Sequence, residues 1–145
     1  MKLTTFTDYT LRVLMYLALN QDRLATIQGI AEAYGISESH LMKVVQHLAK
    51  TGVIEALRGK GGGIRLALPA SEIRIGRVVR EAEGDGPIVE CFSANDTCRI
   101  TPNCKLAGAL RRAFDALYAT LDEYTLADLT QQPAALVQIL KIVRS

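Results

Sequence analysis

Two short helical patterns separated by a tight turn run directly into two β patterns joined by a basic, glycine-rich hairpin. That order, over residues 26–68, limits the fold more than any other feature of the chain. Thr26 is placed to cap a helix carrying Ile27, Ile30, Ala31 and Tyr34, and Gly35 can take the left-handed conformation that stops it. Ser37 then caps a helix whose apolar positions Leu41, Val44, Val45 and Leu48 share one face up to Gly52. Joined by Tyr34-Gly35-Ile36-Ser37, the pair reads as a helix-turn-helix. Residues 53–57 and 64–68 alternate as strands around Arg58-Gly59-Lys60-Gly61-Gly62-Gly63, and Pro69 ends the second run. A helix-turn-helix followed by a basic hairpin is a winged helix-turn-helix, in which the later helix enters the major groove and the wing follows the backbone or minor groove.

The remaining periodicity is helical. Leu11, Leu14, Met15, Ala18 and Leu19 predict a first helix over about residues 7–20, with Thr5-Phe6-Thr7-Asp8 as a capping-box start. Residues 75–83 predict a short helix, broken by Gly84-Asp85-Gly86-Pro87. Leu106, Leu110, Ala113, Phe114, Leu117, Leu121 and Tyr124 then mark a helix of about five turns. Its apolar stripe needs a partner, either the chain's own first helix or the same helix of a second subunit. The dimer is the reading we favour, because helix-turn-helix proteins read paired half-sites. Residues 125–129 and 133–143 predict short closing helices. The fold class is therefore mainly α with a small β-hairpin wing: a winged helix-turn-helix plus a long dimerisation helix. Residues 1–83 make the DNA-binding domain, 84–104 a cysteine loop, and 105–145 the dimerisation and C-terminal helices.

Charge supports the placement of the DNA-reading half. The whole chain is nearly balanced, with 17 Lys+Arg against 15 Asp+Glu, but residues 1–80 hold eleven cations and six acids. Between Ser39 and Ser71, Lys43, Lys50, Arg58, Lys60 and Arg65 face the single acid Glu55. Ser37, Ser39, His40 and Lys43 at the start of the reading helix, and Arg58, Lys60 and Arg65 of the wing, are the candidate DNA contacts. Ser37 has a rival role as the helix cap, Arg65 as a solvated strand residue, and His47 reads as ordinary surface. A 49% hydrophobic content argues against disorder. The longest apolar run, residues 13–19, is too short to span a membrane, and the polar opening does not read as an export signal, so a cytoplasmic location is expected.

The other chemical signal is a cluster of thiols. Cys91, Cys98 and Cys104 are all the cysteines in the chain, and they lie together among Ser93, Asn95, Asp96, Pro102 and Asn103. Such clustering in a turn-rich segment points to a metal centre. Structural zinc favours closely spaced pairs, which are absent, whereas the wider spacing suits an iron–sulfur cluster. Three cysteines leave one ligand open, and His40 and His47 both fall in the reading helix. No Ser–His–Asp order, Cys–His pair or phosphate-binding loop is present, so an enzyme is not expected.

The opening Met1-Lys2-Leu3-Thr4-Thr5-Phe6-Thr7-Asp8-Tyr9, the wing, the stretch Ile75-Gly76-Arg77-Val78-Val79-Arg80-Glu81 and the three-cysteine loop resemble the iron–sulfur winged-helix transcriptional regulators. The likeness runs almost end to end. It is nearest to the nitric-oxide-sensing repressors of that family, through Phe6-Thr7-Asp8-Tyr9, Cys98-Arg99-Ile100-Thr101-Pro102-Asn103-Cys104 and Tyr124-Thr125-Leu126-Ala127-Asp128-Leu129. The cluster-assembly branch carries a histidine ligand three residues after the third cysteine, where this chain has Ala107. The resemblance implies a homodimer on a palindromic promoter operator, with Asp8 of one subunit completing a cluster held by the other subunit's three cysteines. A 4Fe-4S cluster is favoured and 2Fe-2S is the alternative. Nitric oxide is the implied signal, and DNA release the implied response. Read from the residues alone, Asp8 is instead the capping-box acid or an i,i+4 partner of Arg12. Competing functions are a redox- or iron-responsive regulator of the same family and a zinc-stabilised DNA-binding protein without a sensing role.

Overall fold

The computed structural model describes residues 1–84 and 86–143; Asp85 of the expected helix break and residues 144–145 of the expected C-terminal segment lie outside it. Among the described residues, seven α-helices and one hairpin follow in order: α1 (Thr5–Leu19), α2 (Ile27–Tyr34), α3 (Glu38–Lys50), β1 (Ile54–Leu57), β2 (Gly63–Leu66), α4 (Ile75–Glu83), α5 (Lys105–Asp122), α6 (Leu126–Leu129) and α7 (Pro133–Ile139). Among the described residues, no helix is long and apolar enough to cross a membrane.

The core is built around α1. Its Val13, Leu14 and Leu17 meet Ile30 of α2, Leu41, Val44 and Leu48 of α3, Val78 and Val79 of α4, and Leu126 of α6 in one buried cluster. The helix-turn-helix and α6 thus share a single core, with Leu126 fully buried. Thr7 and Thr10 are buried as well; Thr10 satisfies its hydroxyl on the Phe6 carbonyl at 2.8 Å.

The capping box at the first helix is corrected by one residue. Thr4, not Thr5, is the N-cap, and its side chain accepts from the Thr7 N–H. A tertiary partner decides this: the Glu83 carboxylate accepts from the Thr4 N–H at 2.8 Å and from its hydroxyl at 3.0 Å. The Asp8 N–H bonds the Thr4 carbonyl, so Asp8 sits one position beyond the capping-box acid.

The hairpin pairs Ile54 with Leu66 and Glu55 with Arg65. An isolated antiparallel bridge ties Ala25 to Ile64 beside this two-stranded sheet, with hydrogen bonds of 2.9 and 2.8 Å. Gly63 is required there, because a Cβ would stand 2.5 Å from the Ala25 carbonyl oxygen. A second bridge, from Arg74 to Thr125, lays the start of α6 against the start of α4.

The long helix does not find its partner in α1. Its C-terminal end packs on α4, where Arg80 binds Asp122 through two hydrogen bonds of 3.0 and 2.7 Å and lies 4.6 Å over the Tyr118 ring. At Gly76 a Cβ would collide with the Asp122 carboxylate, which explains the glycine. None of the 18 residues of α5 is buried in the single chain. The last helix ends at Ile139, earlier than the apolar pattern to residue 143 suggests. Lys141 takes a left-handed φ of 53°, and the Ile142 N–H returns to the Val137 carbonyl at 3.0 Å, a Schellman stop without glycine.

Candidate DNA-reading face and metal centre

One face of α3 is anchored by Leu41, Val44, Val45 and Leu48, leaving Ser39, His40 and Lys43 exposed on the other. Ser37 is the N-cap residue, but its side chain makes no capping bond. Its hydroxyl lies 2.8 Å from that of Ser39, so the two serines occupy each other at the front of the helix. Two ring contacts dock the start of α1 on α3: Phe6 meets the edge of His47 at 5.3 Å, and Tyr9 lies 5.9 Å from His40. His47 is therefore half-buried packing rather than open surface. Between the helices, Phe6, Tyr9, His40, Lys43 and Val44 line a cavity of about 320 Å³.

In the wing, Gly59 and Gly61 adopt φ values of 93° and 77°, which turn the chain and leave Arg58 and Lys60 exposed. Among the described residues neither makes an ion pair. Arg65 differs: its Nε lies 2.5 Å from Glu55, its cross-strand neighbour, so its charge is already matched. The structure thus separates two free cations of the wing from a third engaged within the hairpin.

The thiols sit on a segment with few regular hydrogen bonds. Cys91 lies half-buried in a single 3₁₀ turn, Glu90–Phe92. Cys98 is exposed, with its N–H bonded to Asp96 at 2.9 Å, and Cys104 is the half-buried N-cap residue of α5. Glu90 braces the loop by accepting from the N–H and hydroxyl of Thr97, and Arg111 of α5 lies 4.6 Å over the Phe92 ring. Among the described residues, no three His, Cys, Asp or Glu side chains of one chain come together as a metal site. Asp8 stands apart on α1, where its carboxylate accepts from Arg12 at 3.1 and 2.8 Å, the i,i+4 pair open to it from sequence.

The donor set fits a thiolate-bound group. All three cysteines are free. Between Cys98 and Cys104, the Thr101 hydroxyl is buried and makes no hydrogen bond among the described residues. A hydroxyl left in that state wants an acceptor, and cluster or thiolate sulfur is one.

Sequence reasoning missed Glu83. It closes α4 just before the cysteine loop while its carboxylate caps α1, four residues before Asp8. Burial alone would raise its pKa, but hydrogen bonds from the Thr7 hydroxyl and from the N–H and hydroxyl of Thr4 outweigh that and hold it below the ordinary value of 4.5. No local pattern announces the contact, which joins residues 79 positions apart. Tyr34 braces the same neighbourhood. Its hydroxyl donates to the Arg12 carbonyl at 2.9 Å, and burial pushes its pKa up to about 12.

A winged helix-turn-helix with exposed cations, followed by a loop of three free thiols, is the build of a DNA-binding regulator. The chain belongs to the Rrf2 family of iron-dependent transcriptional regulators, which matches residues 3–132. It is 49% identical over 144 residues to the HTH-type transcriptional regulator NsrR of Bacillus subtilis, covering 98% of this chain and 99% of the relative. The NsrR of Geobacillus kaustophilus is 50% identical over 143 residues, 97% of each chain. Among solved structures, T. potens IscR shares the fold with a TM-score of 0.73 at 23% identity, covering 100% of this chain and 94% of that one. The oxidized form of Staphylococcus aureus CymR superposes at 0.71 with 29% identity, over 89% of this chain and 95% of its own. The protein is a DNA-binding transcriptional regulator and not an enzyme.

Proposed function

We propose that this regulator is a homodimeric repressor that holds promoter DNA while an iron–sulfur cluster is intact and releases it in response to nitric oxide. Cys91, Cys98 and Cys104 of one subunit, with the partner subunit's Asp8, are the ligands; three thiolates and one carboxylate suit a 4Fe-4S cluster. When bound, the cluster supplies the iron that nitric oxide attacks. Ser37, Ser39, His40 and Lys43 approach the major groove, and Arg58 and Lys60 the backbone, with Arg65 secondary because Glu55 already holds it. The protein acts in the cytoplasm, where thiols stay reduced.

The observation that carries this reading is the Glu83 tie. One carboxylate links the stem of the cysteine loop to the cap of α1, and α1 grips α3 through Phe6 and Tyr9. Displacement of the loop therefore reaches α3 through α1, by the Glu83 tie at its cap and by the ring contacts and core packing between the two helices. Asp8 is 48% exposed at its side chain and oriented by Arg12, so its carboxylate is presented outward for a second subunit. The apolar residues Leu106, Leu110, Phe114 and Leu117 of α5, none of them buried, offer the matching dimer face. Two heads joined through that face meet two half-sites of a palindrome.

Anaerobically purified protein tests this directly. Iron, sulfide and zinc are counted, and nitric oxide is then added in steps while binding to a candidate promoter is followed. Four irons and four sulfides per chain, with DNA release tracking loss of the chromophore, are expected. A zinc protein, or DNA binding indifferent to nitric oxide, overturns the sensing role. Asp8→Ala is expected to weaken DNA binding or the response to nitric oxide, and unchanged behaviour in both removes Asp8 from the ligand set.

A further inference from the structure

The cations of α3 explain attraction to DNA but not a choice of sequence, since an ammonium binds phosphate or any acceptor it reaches. Opposite the buried face of Leu41, Val44, Val45 and Leu48, the periodicity of the helix places Ser39, Lys43, Gln46 and Lys50 in one outward line. The Ser39 hydroxyl shares a hydrogen bond with Ser37 and offers a base edge one atom rather than a paired donor and acceptor, and the two lysines only donate. Gln46 is different. It is exposed, it makes no hydrogen bond among the described residues, and its amide both donates and accepts from one planar group.

We propose that Gln46 is the residue with which this regulator selects an adenine in each half of its operator. The proposal rests on α3 being the helix that enters the groove. In the major groove adenine presents N7 as an acceptor beside the N6 amino donor, and a glutamine amide meets both at once; no other base offers that pair in that order. The neighbour fits as well. Met42 stands one turn earlier on the same side of the helix, 51% exposed, and its apolar side chain suits the methyl group of a thymine at an adjoining position.

The test is selection from a pool of random-sequence duplexes by the anaerobically purified wild-type dimer and by its Gln46→Ala and Lys43→Ala variants, with thermal melting as a check that each is folded. The wild type is expected to enrich adenine at one position in each half of a two-fold-related site, by roughly 5- to 150-fold over the other bases. Gln46→Ala is expected to lose that enrichment alone, keeping the preferences elsewhere and the salt dependence of binding. Unchanged adenine enrichment in Gln46→Ala overturns the proposal. So does a uniform loss of affinity with a shallower salt slope, which marks a phosphate contact. If Lys43→Ala weakens binding while Gln46→Ala changes nothing, the assignment of Gln46 alone fails. If neither variant changes affinity or sequence preference, the placement of α3 in the groove fails with it.

Discussion

The helix of the candidate DNA face, α3, and the helix that follows the thiol loop, α5, are built in opposite ways. The 13-residue α3 sinks four side chains into the core, whereas the 18-residue α5 buries none. The head is complete within one chain: its apolar face is covered, its turns are closed by glycines, and its wing is bonded to the segment before α2. The half with the cysteine loop holds its thiols apart, and its long helix packs on α4 by its C-terminal end, with none of its residues buried. The part that one chain leaves unfinished is the part to which the proposed function assigns a metal cluster and a second subunit.

The largest expected effect contrasts the cores. Leu14→Ala opens a hole in the fully buried centre of the head and should cost about 2–5 kcal/mol in urea unfolding. Leu106→Ala, at a position 63% exposed, should leave dilute protein within about 0.5 kcal/mol of wild type. It should instead shift the monomer–dimer midpoint in sedimentation to higher concentration. Equal losses of monomer stability would break the comparison.

Next in size is the joint between the halves. Gly76→Ala drives a methyl group into the Asp122 carboxylate and should destabilise by roughly 1–3 kcal/mol. Thermal melting that matched wild type would mean that α5 moves easily on α4. Within the wing, Arg58→Ala should reduce the slope of log affinity against log salt by about one unit. Arg65→Ala should reduce it less, because Glu55 already neutralises that charge. Equal slopes would erase the distinction drawn between them.

The smallest effect sharpens the link between the halves. The Glu83 carboxyl is held below its ordinary value in the folded chain, so its contribution is present above the unfolded pKa and is lost as pH falls through the folded one. Glu83→Gln should therefore flatten the decline of stability below about pH 4.5. It should also weaken DNA binding at neutral pH. An unchanged acid limb would show that the cap is held by other groups.

Much of this was legible in the residues. Thr26, Gly35 and Ser37 marked the ends of α2 and the start of α3, because capping and left-handed turns are properties of single residues and their near neighbours. The stripe of α5 was equally plain, since helical period is local. What misled was also local: Thr5 and Asp8 made a good capping box on paper, and the true cap moved to Thr4 because a carboxylate from α4 was waiting there. The apolar run to residue 143 promised a longer last helix, but packing of Leu140 and Ile142 beside Leu19 accompanies a stop at Lys141.

The sequence by itself determined the order of elements, the reading face of α3, the basic turn of the wing and the gathering of all three thiols in one loop. Those follow from periodicity, turn chemistry and charge, which act over a few residues. Only the tertiary structure decided that α5 leans on α4 rather than α1, that Arg65 is spent on Glu55 while Arg58 and Lys60 make no ion pair among the described residues, and that Glu83 joins the stem of the cysteine loop to the cap of α1. Each of these is a contact whose energy depends on where two distant parts of the chain come to rest, and no spacing along the sequence encodes that distance.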